Sequence, residues 1–282
     1  MNNTNVRHWL EKFDAFNLKG KEAKRFLNGI TTSNLVENTN SIIKTCWLTP
    51  TGNLRSLLEI HCEIDEANQF LIIVLQGKIE EIKEYCEDMI FPSDDVTVGE
   101  IFTTFRLQEV DELYSWRNFT PKILSKYNQK DYCLNNRLNI LDYYEQQIWK
   151  ITQAIPTFDN EIDGKNNPLE LGLTDLIDFN KGCYLGQETM AKLKKVSSLK
   201  HEIRVWSNKK TVKQIELKNN KIFFDQNKKK IVGYITSLKE SKSQIIFGLG
   251  MIKKNFLNKY ESFYSEELGT IKINKSVGSV FL

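Results

Sequence analysis

From about residue 202 onward the apolar residues come in short bursts, at 203–206, 221–224, 231–237, 245–251 and 269–273, with turn-forming residues between them. Bursts this short cannot supply a buried helix face. They specify strands joined by turns, at the rhythm of a small β-barrel or sandwich. The preceding 200 residues mix helical and strand periods instead. A β unit is therefore expected to follow a part of a different class.

Upstream, Ala23, Phe26 and Leu27 fall at helical spacing within 20–28, and Gly29 is placed to stop that helix. Residues 46–48 read as a strand ending at the turn Pro50-Thr51-Gly52. Residues 54–64 alternate, 69–75 form a continuous apolar run, and the turn 66–68 between them predicts a hairpin. The stretch 78–90 places Ile79, Ile82, Cys86 and Met89 or Ile90 on one face, an amphipathic helix stopped by Phe91-Pro92. Strand signals return at 96–110, a second helix is expected over 143–154 before Pro156, and 157–180 is rich in turns. Strand hairpin, helix and strand together predict a compact α+β domain over about 46–140.

Several function classes are excluded early. The longest apolar run, residues 70–75, is strand-sized, whereas a membrane helix needs about 20 apolar residues. Residues 1–12 contain no hydrophobic segment of the kind that directs secretion, and a cytoplasmic location is expected. The 5 cysteines are odd in number, widely spaced and without a Cys-x-x-Cys pair, which fits a reducing compartment. His8, His61 and His201 are far apart, so no metal site is expected, and no cysteine cluster could hold a resident iron–sulfur centre. A net charge of +3 does not mark a nucleic-acid binder, and no direct nucleic-acid binding is expected. Of the two basic runs, 228–230 reads as a solvated loop and 192–195 stays open between a solvated face and an anion contact.

The most unusual stretch is 178–188, where Gly182 and Gly186 bracket a thiol, a phenol and an amide. Lys181 lies close in sequence to Cys183, and a nearby ammonium favours a reactive thiolate, so both are candidate catalytic residues. The two glycines permit a tight turn and close approach of a ligand, and Gln187 and Glu188 can read the edge of a heterocycle. Tyr184 on its own would be read as core. Trp47 is either a core residue or a ring that stacks on a ligand.

The eight residues Lys181-Gly-Cys-Tyr-Leu-Gly-Gln-Glu188 resemble the K-G-C-Y-x-G-Q-E signature of the YgfZ family of folate-binding proteins, relatives of the glycine cleavage T-protein, an aminomethyltransferase. Other segments agree in order. Residues 20–32 resemble G-x-x-A-x-x-F-L-x-G-x-x-T, residues 48–52 resemble L-x-P-x-G, and 232–237 resemble V-G-x-V-T-S. The resemblance implies a three-domain α+β fold around a central opening, with a C-terminal β-barrel. The corresponding units would be 1–45 plus 141–198, then 46–140, then 199–282.

The resemblance further implies tetrahydrofolate as ligand and a role supporting iron–sulfur protein assembly or repair, including that of tRNA-modifying enzymes. The expected partners are folate and iron–sulfur client or assembly proteins, with no membrane, and the expected state is a monomer. The alternative is a folate-dependent one-carbon transferase like the T-protein itself. Three departures bear on that choice. Gly52 is followed by Asn-Leu-Arg-Ser-Leu57 where the transferases carry an acidic pair, and Glu59 is too far along to replace it. Thr152, in Lys150-Ile-Thr-Gln-Ala154, stands where R-x-E-A-G places a pterin-reading glutamate, and Lys192 stands for an arginine. These leave Gly182, Tyr184, Gly186, Gln187, Glu188, Trp47, Thr152 and Lys192 as the candidate folate-contacting set.

Overall fold

The computed structural model describes residues 6–37, 41–62, 68–111, 114–196, 199–209, 222–225, 227, 230–257 and 259–273. Residues 66 and 67 of the hairpin turn, and 228 and 229 of the second basic run, lie outside them. The first part of the chain runs β1 (Arg7–Lys19), α1 (Ala23–Ile30), β2 (Ile42–Leu48), β3 (Leu54–Cys62), β4 (Gln69–Gln76), α2 (Ile79–Met89), β5 (Thr97–Val98), β6 (Phe102–Val110), β7 (Lys122–Ser125), α3 (Gln129–Asn135), β8 (Asn139–Ile140) and α4 (Tyr143–Thr152). After a long turn-rich connection comes α5 (Gln187–Val196). The last part is β9 (His201–Asn208), β10 (Ile222–Phe224), β11 (Ile231–Glu240), β12 (Ile246–Lys253), α6 (Lys254–Leu257), β13 (Ser262–Ser265) and β14 (Gly269–Ile273).

One sheet, in the order β2-β3-β4-β1-β6-β7, organises the first part, with β5 and β8 also paired to β1. β1 is its longest strand: Arg7 to Ala15 pair with β6 and Ala15 to Lys19 with β4. Successive side chains of a strand point to opposite faces. Trp9, Phe13 and Ala15 accordingly enter one core, while Phe16 and Leu18 enter another. β4 divides the same way, with Leu71, Ile73 and Leu75 on one side and Phe70, Ile72 and Val74 on the other. The sheet is thus a wall between two cores. The second core is closed by Ala23 and Leu27 of α1 and by Ile79, Ile82 and Cys86 of α2. β2 runs through residues 45 and 46, so the sheet takes strands from both sides of that position.

The C-terminal strands close into a six-stranded barrel, β10-β11-β12-β9-β14-β13, as the short apolar bursts predict. Its interior is filled by Trp206, Phe223, Phe263 and Ile271, all buried. The barrel also belongs to the rest of the molecule. Ile203, Val205, Leu249 and Met251 join the core of Trp9. The hydroxyl of Ser237, from the V-G-x-V-T-S stretch, donates to buried Glu161 Oε1 at 2.6 Å, and the backbone of Ile203 donates to Glu170 O.

A charged network crosses the face of the sheet nearest Trp9. Glu59 and Arg106 are both fully buried. Arg106 Nε and Nη2 donate to the Glu59 carboxylate at 2.9–3.1 Å, and His61 Nε2 lies 2.8 Å from Glu59 Oε1. Arg106 Nη2 also donates to Gln108 Oε1, and the guanidinium lies over the Trp9 ring at 4.7 Å. Burial alone would raise the Glu59 carboxyl, but the Arg106 charge and hydrogen bonds, with His61, hold it at about 2.

A carboxyl held below its ordinary value stabilises the fold fully above that value, and the contribution is lost as pH falls through the folded value. For Glu59 the window runs from 4.5 down to about 2. Thermal unfolding should therefore show a falling midpoint on acidification across this window. Glu59→Gln should cost about 3–5 kcal/mol at pH 7, because Arg106 is left buried and unpaired. Its midpoint should also fall less across that window than that of the unaltered chain. The double change Glu59→Leu with Arg106→Met should recover much of the loss.

Candidate functional site

The signature wraps around the end of α1. Lys181 Nζ is inserted among three backbone carbonyls and donates to Asn28 O at 2.6 Å, Thr31 O at 2.9 Å and Ser33 O at 2.7 Å. The last carbonyls of a helix have no partner within it, and the helix dipole favours a cation there. Lys181 meets both needs. Burial pushes its pKa down to about 8, opposed by Asp178, so the ammonium is charged at neutral pH. This also explains why α1 continues through Gly29 to Ile30 rather than stopping as its sequence suggests. The end is set by Thr31, whose hydroxyl donates to Leu27 O, and by a lysine distant in sequence.

Backbone stitching completes the loop. Asp178 N donates to Thr32 O and Leu185 N to Gly29 O. Asp178 Oδ1 accepts from the backbone N–H groups of Asn180 and Lys181. The loop then presses on the turn after β2. Gly186 has φ +80°, and a Cβ there would lie 2.8 Å from Thr49 O. Gly52 has φ +83°, and a Cβ there would lie 2.8 Å from Thr189 Cβ. Two glycines in left-handed conformations let the two backbones touch. The L-x-P-x-G turn and the signature are halves of one contact.

The candidate residues separate into distinct places. Gly182 and Cys183 are exposed at the apex, and Gly182 has open space around it. Cys46 and Cys86 are buried, their thiols pushed up to about 12 by burial. Tyr184 is a core residue, its hydroxyl buried without a partner among the described residues and pushed up to about 12 by burial. Gln187 donates to Lys181 O, while Glu188 and Lys192 form an exposed ion pair on α5. Surface pairs of this kind contribute little.

Two expectations are corrected. Lys181 cannot activate Cys183 in this arrangement, since all three ammonium donors are committed to carbonyls. Trp47 cannot stack on a ligand: it is fully buried in the α1–α2 core, 5.3 Å from the Tyr85 ring with Arg55 over its face. The Thr152 hydroxyl donates back to Trp149 O at 2.8 Å rather than to a neighbouring element. After Gly52, Arg55 covers Trp47, Ser56 is buried against Gly77, and Glu59 is taken by Arg106. Among the described residues 53–62, none carries a free carboxylate.

Among the described residues three clefts border these elements, and none of the three is lined by the nominated set. The largest, about 660 Å³, runs beside the signature loop past Asp178, Asn180, Lys194, Lys44 and Arg117. A second, about 460 Å³, lies by β7 and α3. A third, about 150 Å³, lies between α4 and the barrel and is lined by Gln147, Lys150, Thr157, Asn160, Ser237 and Lys239, among others. Lys194 belongs to the basic run 192–195 already noted as a possible anion contact, whereas Lys44 and Arg117 were not singled out from the sequence; the available signal was the density of basic residues, which the net charge averages away.

No family model matches the chain. Over 221 aligned residues it is 24% identical to the tRNA-modifying protein YgfZ of Colwellia psychrerythraea, covering 65% of this chain and 66% of that protein. A stretch of 54 residues, 19% of this chain, is 43% identical to a chloroplastic protein of Arabidopsis thaliana whose name assigns it provisionally to the transferases. The chain spans 66% and 12% of these two relatives' lengths. The structure superposes on the glycine cleavage system aminomethyltransferase T of Bartonella henselae with a TM-score of 0.76, over 99% of this chain and 89% of that one, at 11% identity. The chain is thus similar in sequence to YgfZ over about two thirds of its length and has the fold of the glycine cleavage T-protein.

Lys181→Met should lower stability by about 2–3 kcal/mol, because one buried and two half-buried carbonyls lose a charged donor together. In the folded fraction, iodoacetamide should alkylate Cys183 at the unaltered rate. A marked slowing would show that the ammonium does serve the thiol. Gly186→Ala should destabilise through its φ of +80° and the clash with Thr49, whereas Gly182→Ala, in open space, should be near neutral.

Proposed function

We propose that this chain is a folate-binding accessory protein that supports assembly or repair of iron–sulfur proteins, tRNA-modifying enzymes among them. The observation that carries this reading is a T-protein fold whose turn after β2 offers no free carboxylate. Glu59, the nearest, is locked to Arg106. An aminomethyl transfer needs a group to hold or move a proton on the amine, and nothing in this turn does so. Likeness to a protein named for tRNA modification supports the same direction.

The cleft between α4 and the barrel suits the flat head of a folate. Gln147, Asn160 and Thr157 offer donors and acceptors to a heterocycle edge, and Lys239 at the rim offers a charge to the glutamate tail. Ala154 supports the alignment with R-x-E-A-G, for it takes the left-handed φ of 49° that a glycine there would hold. With Thr152 turned back on its own helix, the contact to the heterocycle falls to Gln147 and Asn160. When bound, tetrahydrofolate supplies one-carbon chemistry. Cys183, on an apex anchored by Lys181, is the exchanging thiol presented to iron–sulfur client or assembly proteins. The protein acts as a cytoplasmic monomer.

Calorimetric titration with tetrahydrofolate should show saturable binding, weakened about tenfold by Asn160→Ala or Lys239→Ala. No binding, or binding indifferent to both changes, would remove folate from this cleft. In cells lacking the protein, Cys183→Ala should fail to restore iron–sulfur enzyme activity, and full rescue would remove the role of the thiol. The alternative, a folate-dependent one-carbon transferase, rests on the fold. It requires methylene-tetrahydrofolate to form at an ordinary enzymatic rate, and no such turnover is expected.

A further inference from the structure

Residues 114–140 contain five basic residues and one acidic one, Asp131, a surplus larger than the +3 of the entire chain. The positive charge is therefore concentrated, and the fold places it along a groove. The cleft beside the signature loop and the cleft by β7 and α3 meet at Asn118, which lines both. Lys194 lines the first and Lys122 the second, with Lys126, Lys130 and Arg137 exposed beyond it; Lys44 and Arg117 also line the first but are committed within the protein, Lys44 to the carbonyls of Arg117 and Phe119 and Arg117 to Asp175 and Gly172 O. Of the acids of the first cleft, Asp175 is paired with Arg117, while Asp178, held by backbone N–H groups, keeps its negative charge. Glu37 and Glu109 also line the groove.

Aromatic rings are interleaved with these cations. Lys194 Nζ lies 4.0 Å from the centre of the Phe179 ring, Lys122 Nζ 4.4 Å from Tyr132, and Lys126 Nζ 5.0 Å from Tyr127. Phe179 and Tyr132 line the groove, and Tyr127 is 83% exposed just beyond it. His8 adds a buried Nδ1 with no partner among the described residues. A single strand of nucleic acid needs this alternation: cations along the backbone, and rings on which unpaired bases stack. An acidic peptide would use the cations and leave the rings idle.

We infer that the groove from Phe179 to Tyr127 binds a single-stranded segment of nucleic acid, at a site separate from the folate cleft. The expectation that direct nucleic-acid binding is absent came from net charge, which cannot see a local surplus.

The test is fluorescence anisotropy of the full-length protein with a labelled unstructured RNA dodecamer, and with DNA of the same sequence. Saturable binding is expected, with an affinity that falls as salt rises by roughly 0.7 log units per log unit for each phosphate contacted. The triple change Lys122→Glu, Lys126→Glu and Lys130→Glu should abolish binding and flatten the salt slope. Tyr127→Ala with Tyr132→Ala should weaken it about tenfold without changing that slope. An equal charge reversal elsewhere, at the exposed Lys12, Lys21 and Lys254, should leave binding intact. The RNA and DNA arms show which strand the groove prefers. Absence of binding, an equal loss in the control triple, or equal displacement by polyglutamate would each overturn the inference. Folate titration of the same variants stays unchanged if the two sites are separate, so failure of one reading does not carry the other with it.

Discussion

An ammonium can stay buried only if each of its protons finds an acceptor. Lys181 finds three in carbonyls that a helix end and the loop after it would otherwise leave unpaired. Each side supplies what the other lacks. Once that cage forms, the end of α1 is fixed, the signature loop is drawn against it, and the backbone of Gly186 is carried onto the turn at Gly52. The apex bearing Cys183 is the part of this assembly left facing solvent. A motif that reads as a reactive centre is first an anchor, and any chemistry of the thiol depends on that rigidity.

Much of the fold was legible in short-range pattern. The helix expected at 78–90 is Ile79–Met89, that at 143–154 is Tyr143–Thr152, and the rhythm after residue 202 closes as a barrel. The central strand was not read at all. In Arg7–Lys19 polar residues interrupt the apolar alternation, and Glu11 shares the face of Trp9. That carboxylate is tolerated because Trp9 Nε1 and Lys150 Nζ both donate to it, one from its own strand and one from α4. Only the tertiary structure supplies the second partner. β13, Ser262–Ser265, is too short and polar to leave a sequence signal.

The signature marks a tightly built loop, but the residues of the candidate site were grouped by closeness in sequence. Lys181 stands two positions from Cys183 and yet its side chain leads into the protein. Trp47 and Tyr184 are aromatic, but strand direction and loop geometry turn them into the cores. A summed charge likewise hid the basic stretch of 114–140 among the acids of the rest of the chain. In each case the missing information was direction, which a linear string does not carry.

The position of β1 as a wall between two cores also bears on how the chain comes off the ribosome. Phe16 pairs with Ile72 and Leu10 with Leu107, so the strand emerges long before either neighbour exists. Until β4 has been synthesised, Trp9, Phe13 and Phe16 travel on a nascent segment with both edges open, and the edge that pairs with β6 stays open longer. Long-range pairing of this kind is slow and leaves apolar surface exposed meanwhile. The opening strand is held in waiting, and the interval is one in which a chaperone would have most to do.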